Sequence, residues 1–137
     1  MSGKGQLEAG LKLSLDFEKI SQVAQSGESV IPVVVQDFES RDVLILGYTN
    51  REAFEKSMSS KMVTFWSTSR NELWVKGATS GSTLRIVDIF VNCEQNSLLY
   101  LVTAEGKGAC HTKGPDGNFR TGCFYRRVDG NTLSLEE

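Results

Sequence analysis

Val30-Ile-Pro-Val-Val-Val-Gln-Asp-Phe-Glu-Ser-Arg-Asp-Val-Leu-Ile-Leu-Gly-Tyr-Thr-Asn50 is the stretch on which the fold turns. Val30 to Gln36 is rich in β-branched residues, which suit a pleated, half-buried surface. Pro32 has no N–H to give to a ladder, so it fits a strand start or an edge. Asp37 to Arg41 is polar, and Val43 to Tyr48 is apolar again. Two such runs across a short polar link read as a β-hairpin. Asn50 then suits the N-cap of a short helix carrying Arg51, Glu52, Ala53 and Phe54, ending near Ser59-Ser60.

Upstream, Leu11, Leu15, Ile20 and Val23 recur at helical spacing, although Leu13 and Phe17 complicate the stripe. The pattern predicts a helix over Ser14 to Gln25, stopped by Ser26-Gly27. Downstream, Met62 to Ser67, Leu73 to Val75, Leu84 to Val91 and Leu98 to Thr103 read as strands. Lys76 to Thr83 is a glycine-bearing loop. A Gly-rich polar loop follows Glu105 to Gly122, then a short run Cys123 to Val128, and a tail from Asp129 that looks frayed. Many short strands with two helices predict a small β-rich α+β domain. The whole chain, 1–137, reads as one domain: a helical lead-in over 1–29, a core over 30–127 and a tail over 128–137.

A chain of 137 residues can bury a core without disulfides. Its net charge of −2 gives no electrostatic case for a nucleic-acid or membrane partner. A local group of Lys and Arg can still bind a small anion. No apolar stretch reaches the roughly 20 residues of a membrane span. Met1 to Gln6 is small and polar, with no apolar run and cleavage site behind it, so the expectation is a cytoplasmic protein with reduced thiols.

The three cysteines are Cys93, Cys110 and Cys123, and the one histidine is His111. No Cys-x-x-Cys pair exists, so no zinc ribbon or finger is present, and spacing alone favours buried structural thiols. Context points the other way. Cys93 lies between Asn92 and Glu94 at a strand end, and Cys110 and Cys123 bracket a polar loop. None of the three sits in a long apolar run. Three protein ligands with one open position is the arrangement of a catalytic zinc (Zn2+). His111 is then a fourth ligand or, as the adjacency to Cys110 favours, the base for a water at that site.

Other residues carry plainer alternatives. Lys76, Gly77, Thr79, Ser80, Gly81 and Ser82 offer an ammonium, hydroxyls and backbone N–H groups to a phosphate, or they simply connect two strands. Arg70 clamps a second phosphate or is a solvated turn residue. Trp74 and Trp66 stack a purine or belong to the core. Asp88 reads as solvent-facing. One of Arg126 and Arg127 reaches a ligand anion while the other points away, if that segment is a strand.

The segments Ile31–Asp37, Val43–Ala53, Val63–Arg70, Leu73–Gly81, Ala109-Cys-His-Thr112 and Cys123-Phe-Tyr-Arg126 occur in the order seen in the phosphoribosyl-AMP cyclohydrolase family. The resemblance covers about Val30 to Arg127. It implies an intertwined homodimer and a zinc ion held by Cys93, Cys110 and Cys123 drawn from both subunits. It also implies a catalytic part for His111 and a phosphorylated nucleotide as substrate. The implied reaction is hydrolysis of a ring C–N bond: opening of the adenine ring of phosphoribosyl-AMP, in histidine biosynthesis.

The chain departs from the family in three places. Where the family carries Asp-Cys-Asp-x-Asp, whose carboxylates bind magnesium (Mg2+), this chain has Asn92-Cys93-Glu94-Gln95-Asn96. A hard cation prefers several charged oxygens, so the magnesium site is expected to be weak or absent. The family's Trp-Arg-Lys-Gly-Glu-Thr-Ser-Gly-His loop reads Trp74-Val-Lys-Gly-Ala-Thr-Ser-Gly-Ser82, and the loop between Cys110 and Cys123 is longer than usual. Four readings stand at this point: an ordinary cyclohydrolase with a different phosphate clamp, a divergent paralogue acting on another cyclic amidine, a non-catalytic zinc-stapled dimeric module, and a redox-responsive thiol protein.

Overall fold

The computed structural model describes residues 3–106 and 108–136. The elements are α1 (Gly3–Ala9), α2 (Lys19–Gln25), β1 (Ile31–Asp37), β2 (Val43–Thr49), α3 (Arg51–Ser60), β3 (Thr64–Ser67), β4 (Glu72–Val75), β5 (Thr83–Val91), β6 (Leu98–Glu105), β7 (Arg126–Asp129) and β8 (Thr132–Leu135). The result is a small β-rich α+β domain, as the strand pattern predicts.

β1 and β2 form the expected antiparallel hairpin, with Val33 opposite Gly47 and Val35 opposite Ile45. The central sheet runs β2-β1-β6-β5. β6 lies parallel to β1, with Val33 beside Leu98 and Val35 beside Tyr100. The connection from β2 to β6 carries α3, the β3–β4 hairpin and β5. Alternation along the strands buries Val33 and Val35, Leu98, Tyr100 and Val102, and Leu84 and Ile86 in one cluster. Strict alternation from Leu84 and Ile86 would carry Asp88 to that same face. A register shift between Ile86 and Asp88 turns Asp88 outward, and Ile89 packs against the core instead.

α3 and the β3–β4 hairpin cover the cluster. Asn50 caps α3 by accepting from the Ala53 N–H at 2.8 Å, and its amide donates to Glu28 at 3.0 Å. Lys61 ends the helix in the left-handed conformation. Ser57 ties α3 to β3, donating to the Thr64 carbonyl and accepting from its N–H. The layers approach closely at Gly47, where a Cβ would lie 2.6 Å from the Phe65 ring.

Two expectations at the ends are corrected. The helix predicted from Ser14 begins only at Lys19, because Asp16 caps a turn by accepting from Glu18 N–H while Lys12 pairs with Thr132. The tail is not frayed: β7 and β8 form a hairpin around Gly130, and residues 11–13 bond to it through Leu13 N–H to Asn131 and Leu133 N–H to Leu11. A further helix, α1, was not predicted.

Candidate metal and active site

The segment after β6 folds back on itself. Ala109 and Cys110 donate to the carbonyls of Thr121 and Arg120, and Arg120 donates to Thr112. Gly114 and Asn118 close the far end, with Lys113 paired to Phe119. The long loop is therefore an irregular hairpin, and its return strand ends beside its start. Gly108 permits the closure, since a Cβ there would meet the Arg120 carbonyl at 2.4 Å. Cys123 is pinned to the sheet by its N–H to the Leu44 carbonyl at 2.7 Å. The hairpin thus returns the chain to Cys123 near Cys110.

Cys110 lies near enough to Cys123 to act on its ionisation, Cys110 buried and Cys123 half-buried. Burial, and then the neighbouring Cys110, push the Cys123 thiol up to about 12, against the pull of the Lys76 charge. Lys76 is itself only 4% exposed. Burial lowers its pKa, and charge on Cys123 and Cys110 works to raise it. The Cys110 sulfur also meets the Thr112 hydroxyl at 3.0 Å, and that hydroxyl accepts from Arg120 Nη1 at 3.0 Å. Two convergent sulfurs beside a buried cation suit a soft, thiophilic ion such as zinc. The raised pKa of Cys123 does not suit a redox sensor, which needs an accessible thiol of lowered pKa.

Cys93 is not with them. It is exposed in the β5–β6 turn, at the opposite end of that strand pair from where the chain leaves for Cys110. Among the described residues no three His, Cys, Asp or Glu side chains come together in one chain. The magnesium candidates around Cys93 are engaged in building the turn. Asn92 Oδ1 accepts from the N–H groups of Asn96 and Ser97, and Asn92 Nδ2 donates to Asn96 Oδ1 at 2.7 Å. Glu94 supplies the one carboxylate among Asn92, Glu94 and Asn96, and this donor set does not fit a hard divalent cation.

His111 projects from the hairpin, 68% exposed, and its Nε2 meets Glu8 Oε2 at 2.6 Å. Nothing in the sequence pointed to Glu8, which stands in the lead-in more than a hundred residues away. Thr112 and Arg120 were likewise unforeseen. Arg126 does not face a ligand anion: its guanidinium donates to the carbonyls of Gly10 and Leu7. Arg127 is exposed near Glu136.

The remaining candidates are dispersed. Arg70 sits at the β3–β4 turn, 3.8 Å from Glu72 and exposed. Trp74 packs on Phe65 with ring centroids 5.7 Å apart, and the Lys76 ammonium lies 5.9 Å from the Trp74 ring. The indole N–H of Trp66 is buried without a hydrogen-bond partner among the described residues. In the loop, Gly77 and Ser82 are buried while Thr79, Ser80 and Gly81 are exposed. The N–H groups of Ala78, Gly81 and Ser82 are already bonded within the loop.

The family model for phosphoribosyl-AMP cyclohydrolase matches residues 45–125, which take in most of β2, α3, the β3–β4 hairpin, the β5–β6 pair and all three cysteines. The chain belongs to the phosphoribosyl-AMP cyclohydrolase family. A phosphoribosyl-AMP cyclohydrolase of Halobacterium salinarum is 44% identical over 121 residues, covering 88% of each chain. One from Methanothermobacter thermautotrophicus is 41% identical over 82% of this chain and 76% of its own. One from Archaeoglobus fulgidus is 43% identical over 77% of this chain and 92% of its own. Like the other members, the chain is a cyclohydrolase, a hydrolase that opens a ring C–N bond. Among the described residues no helix is long and apolar enough to cross a membrane.

Proposed function

We propose that this cyclohydrolase opens the adenine ring of phosphoribosyl-AMP in histidine biosynthesis, at a zinc site completed between two subunits. The observation that carries the reading is the meeting of the Cys110 and Cys123 thiols beside buried Lys76, with His111 the next residue and Cys93 out of reach in its own chain. Cys110 and Cys123 of one subunit would hold the ion with Cys93 of the partner subunit. Zinc in such a site supplies a Lewis acid that lowers the pKa of water from about 15.7 toward about 7.

His111 takes the proton of the attacking water. The water oxygen joins C6 of the ring, the N1–C6 bond breaks, and the proton passes to N1, so one water is added and the ring opens. Lys76 adds positive charge beside the two sulfurs. Arg70, Trp74, Gly77, Thr79, Ser80, Gly81 and Ser82 remain the candidates for holding the nucleotide, with the exposed hydroxyls of Thr79 and Ser80 best placed to meet a phosphate. Magnesium has no fitting donor set at Asn92, Glu94 and Asn96.

The homodimer is supported by apolar surface. Leu46, Phe90 and Val91 of the central sheet are each about half exposed, and an apolar groove of about 1300 Å³ runs between α2, α3 and the sheet, past Leu46, Ile89 and Leu98. The comparisons lend no weight to a different ring or to a non-catalytic module. The deciding experiment is direct: purified protein with measured zinc content, assayed for ring opening of phosphoribosyl-AMP. Turnover that disappears on chelation and returns with zinc supports the proposal. Absence of turnover in zinc-loaded dimer overturns it.

A further inference from the structure

We propose that Glu8 is the positioning residue for His111, its carboxylate fixing the imidazole through Nε2 and leaving Nδ1 toward the reacting site. The inference rests on the functional reading above and concerns a residue outside the stretch that the family model matches.

An imidazole that is 68% exposed has little packing to hold its orientation, and among the described residues the one hydrogen bond to this ring is the 2.6 Å contact of Nε2 with Glu8 Oε2. Among the described residues Nδ1 makes no hydrogen bond. A carboxylate on one ring nitrogen selects the tautomer and aims the other nitrogen.

Glu8 is itself held firmly. The Tyr125 hydroxyl donates to the Glu8 carbonyl at 2.6 Å. Arg126 Nη1 donates to the Gly10 carbonyl at 2.7 Å and Nη2 to the Leu7 carbonyl at 2.8 Å. Three donors from residues just after Cys123 thus fix the end of α1, and residues 11–13 bond to the β7–β8 hairpin beyond. An exposed polar contact adds little to stability, so the anchoring has its effect on geometry. The segment that supplies the Cys123 sulfur also holds the carboxylate that aims His111.

The chain's one histidine makes the test unambiguous, because histidine-selective 15N labelling reports a single imidazole. Zinc-loaded wild type, Glu8→Ala, Glu8→Gln, Arg126→Ala, His111→Ala and the Glu8→Ala/His111→Ala double variant are compared. The wild-type ring is expected as one tautomer, protonated at Nε2, with Glu8→Ala and Arg126→Ala giving a mixture. Glu8→Ala should lower kcat about 10- to 100-fold, as removal of a partner that orients a histidine does. KM should stay within about twofold. Glu8→Gln, which keeps an acceptor oxygen, should recover most of kcat, and Glu8→Ala should cost nothing further once His111 is gone. Glu8→Ala with wild-type tautomer and kcat overturns the assignment. So does an equal loss in the His111→Ala background, or a rise in kcat/KM, which would make Glu8 a cover that substrate displaces. If wild type fails to open phosphoribosyl-AMP, the functional reading falls by itself, and the tautomer comparison alone decides whether Glu8 positions the ring.

Discussion

Cys123 sits where ionisation is resisted, with burial and a second thiol opposing it and Lys76 alone favouring it. A cation that binds sulfur reverses that balance, because coordination removes the proton outright. Cys110→Ala and Cys123→Ala should therefore each reduce bound zinc well below one per chain, read by elemental analysis of purified protein. Full retention in both would refute the ligand assignment. Tyr100 shows burial acting on stability. Its side chain is fully buried, and its hydroxyl lies near Ser57 and Thr49 without a formed hydrogen bond. Burial pushes its pKa from the ordinary 10 up to about 12. The unfolded chain ionises first, so Tyr100's contribution is intact below pH about 10 and is lost as pH rises toward about 12. Denaturant midpoints measured across that window should fall in wild type and fall less in Tyr100→Phe. At neutral pH Tyr100→Phe should be neutral, or stabilising by up to about 1 kcal/mol, because an unpaired hydroxyl leaves the core.

At the scale of elements, the cap of α3 gives a clear test. Asn50→Ala removes both the bond to Ala53 N–H and the partner of Glu28. The expected loss is about 0.5–2 kcal/mol by urea unfolding, with the slope unchanged. This helix and the β1–β2 hairpin were legible because their signals are local: an Asn before a periodic run, and two β-branched runs around a polar link. α1 carried no such signal. Its sequence Gly-Lys-Gly-Gln-Leu-Glu-Ala holds two glycines, and its place is set by Tyr125 and Arg126 from the far end of the chain. The β7–β8 hairpin was missed for the same reason, since residues 11–13 complete its bonding. At the site, motif order singled out Cys110, Cys123 and His111 as candidates. Nothing local told that Cys93 would face away or that Glu8 would meet His111, because those relations are made by folding.

At the scale of the whole molecule, Cys93 stands apart from the other two sulfurs, and the proposed site needs it from a second copy. A site shared between two copies makes a specific prediction for mixed subunits. Cys93→Ala and Cys123→Ala proteins should each be inactive alone. Unfolded and refolded together, they should regain about a quarter of wild-type turnover, since half of random pairs are mixed and each mixed pair holds one complete site of two. No recovery would place all ligands in one chain or elsewhere. The parallel seat of β6 beside β1 has a consequence of another kind. Of the strands, β1 and β2 leave the ribosome first, and the strand that covers β1's second edge follows roughly sixty residues later, an interval of about 3–12 s at translation rates of about 5–20 residues/s. During it the Val33–Val35 edge stands open, a template for any other nascent strand nearby. Yield in a cell should therefore depend on the pace of synthesis and on chaperone supply more than the stability of the finished domain would suggest.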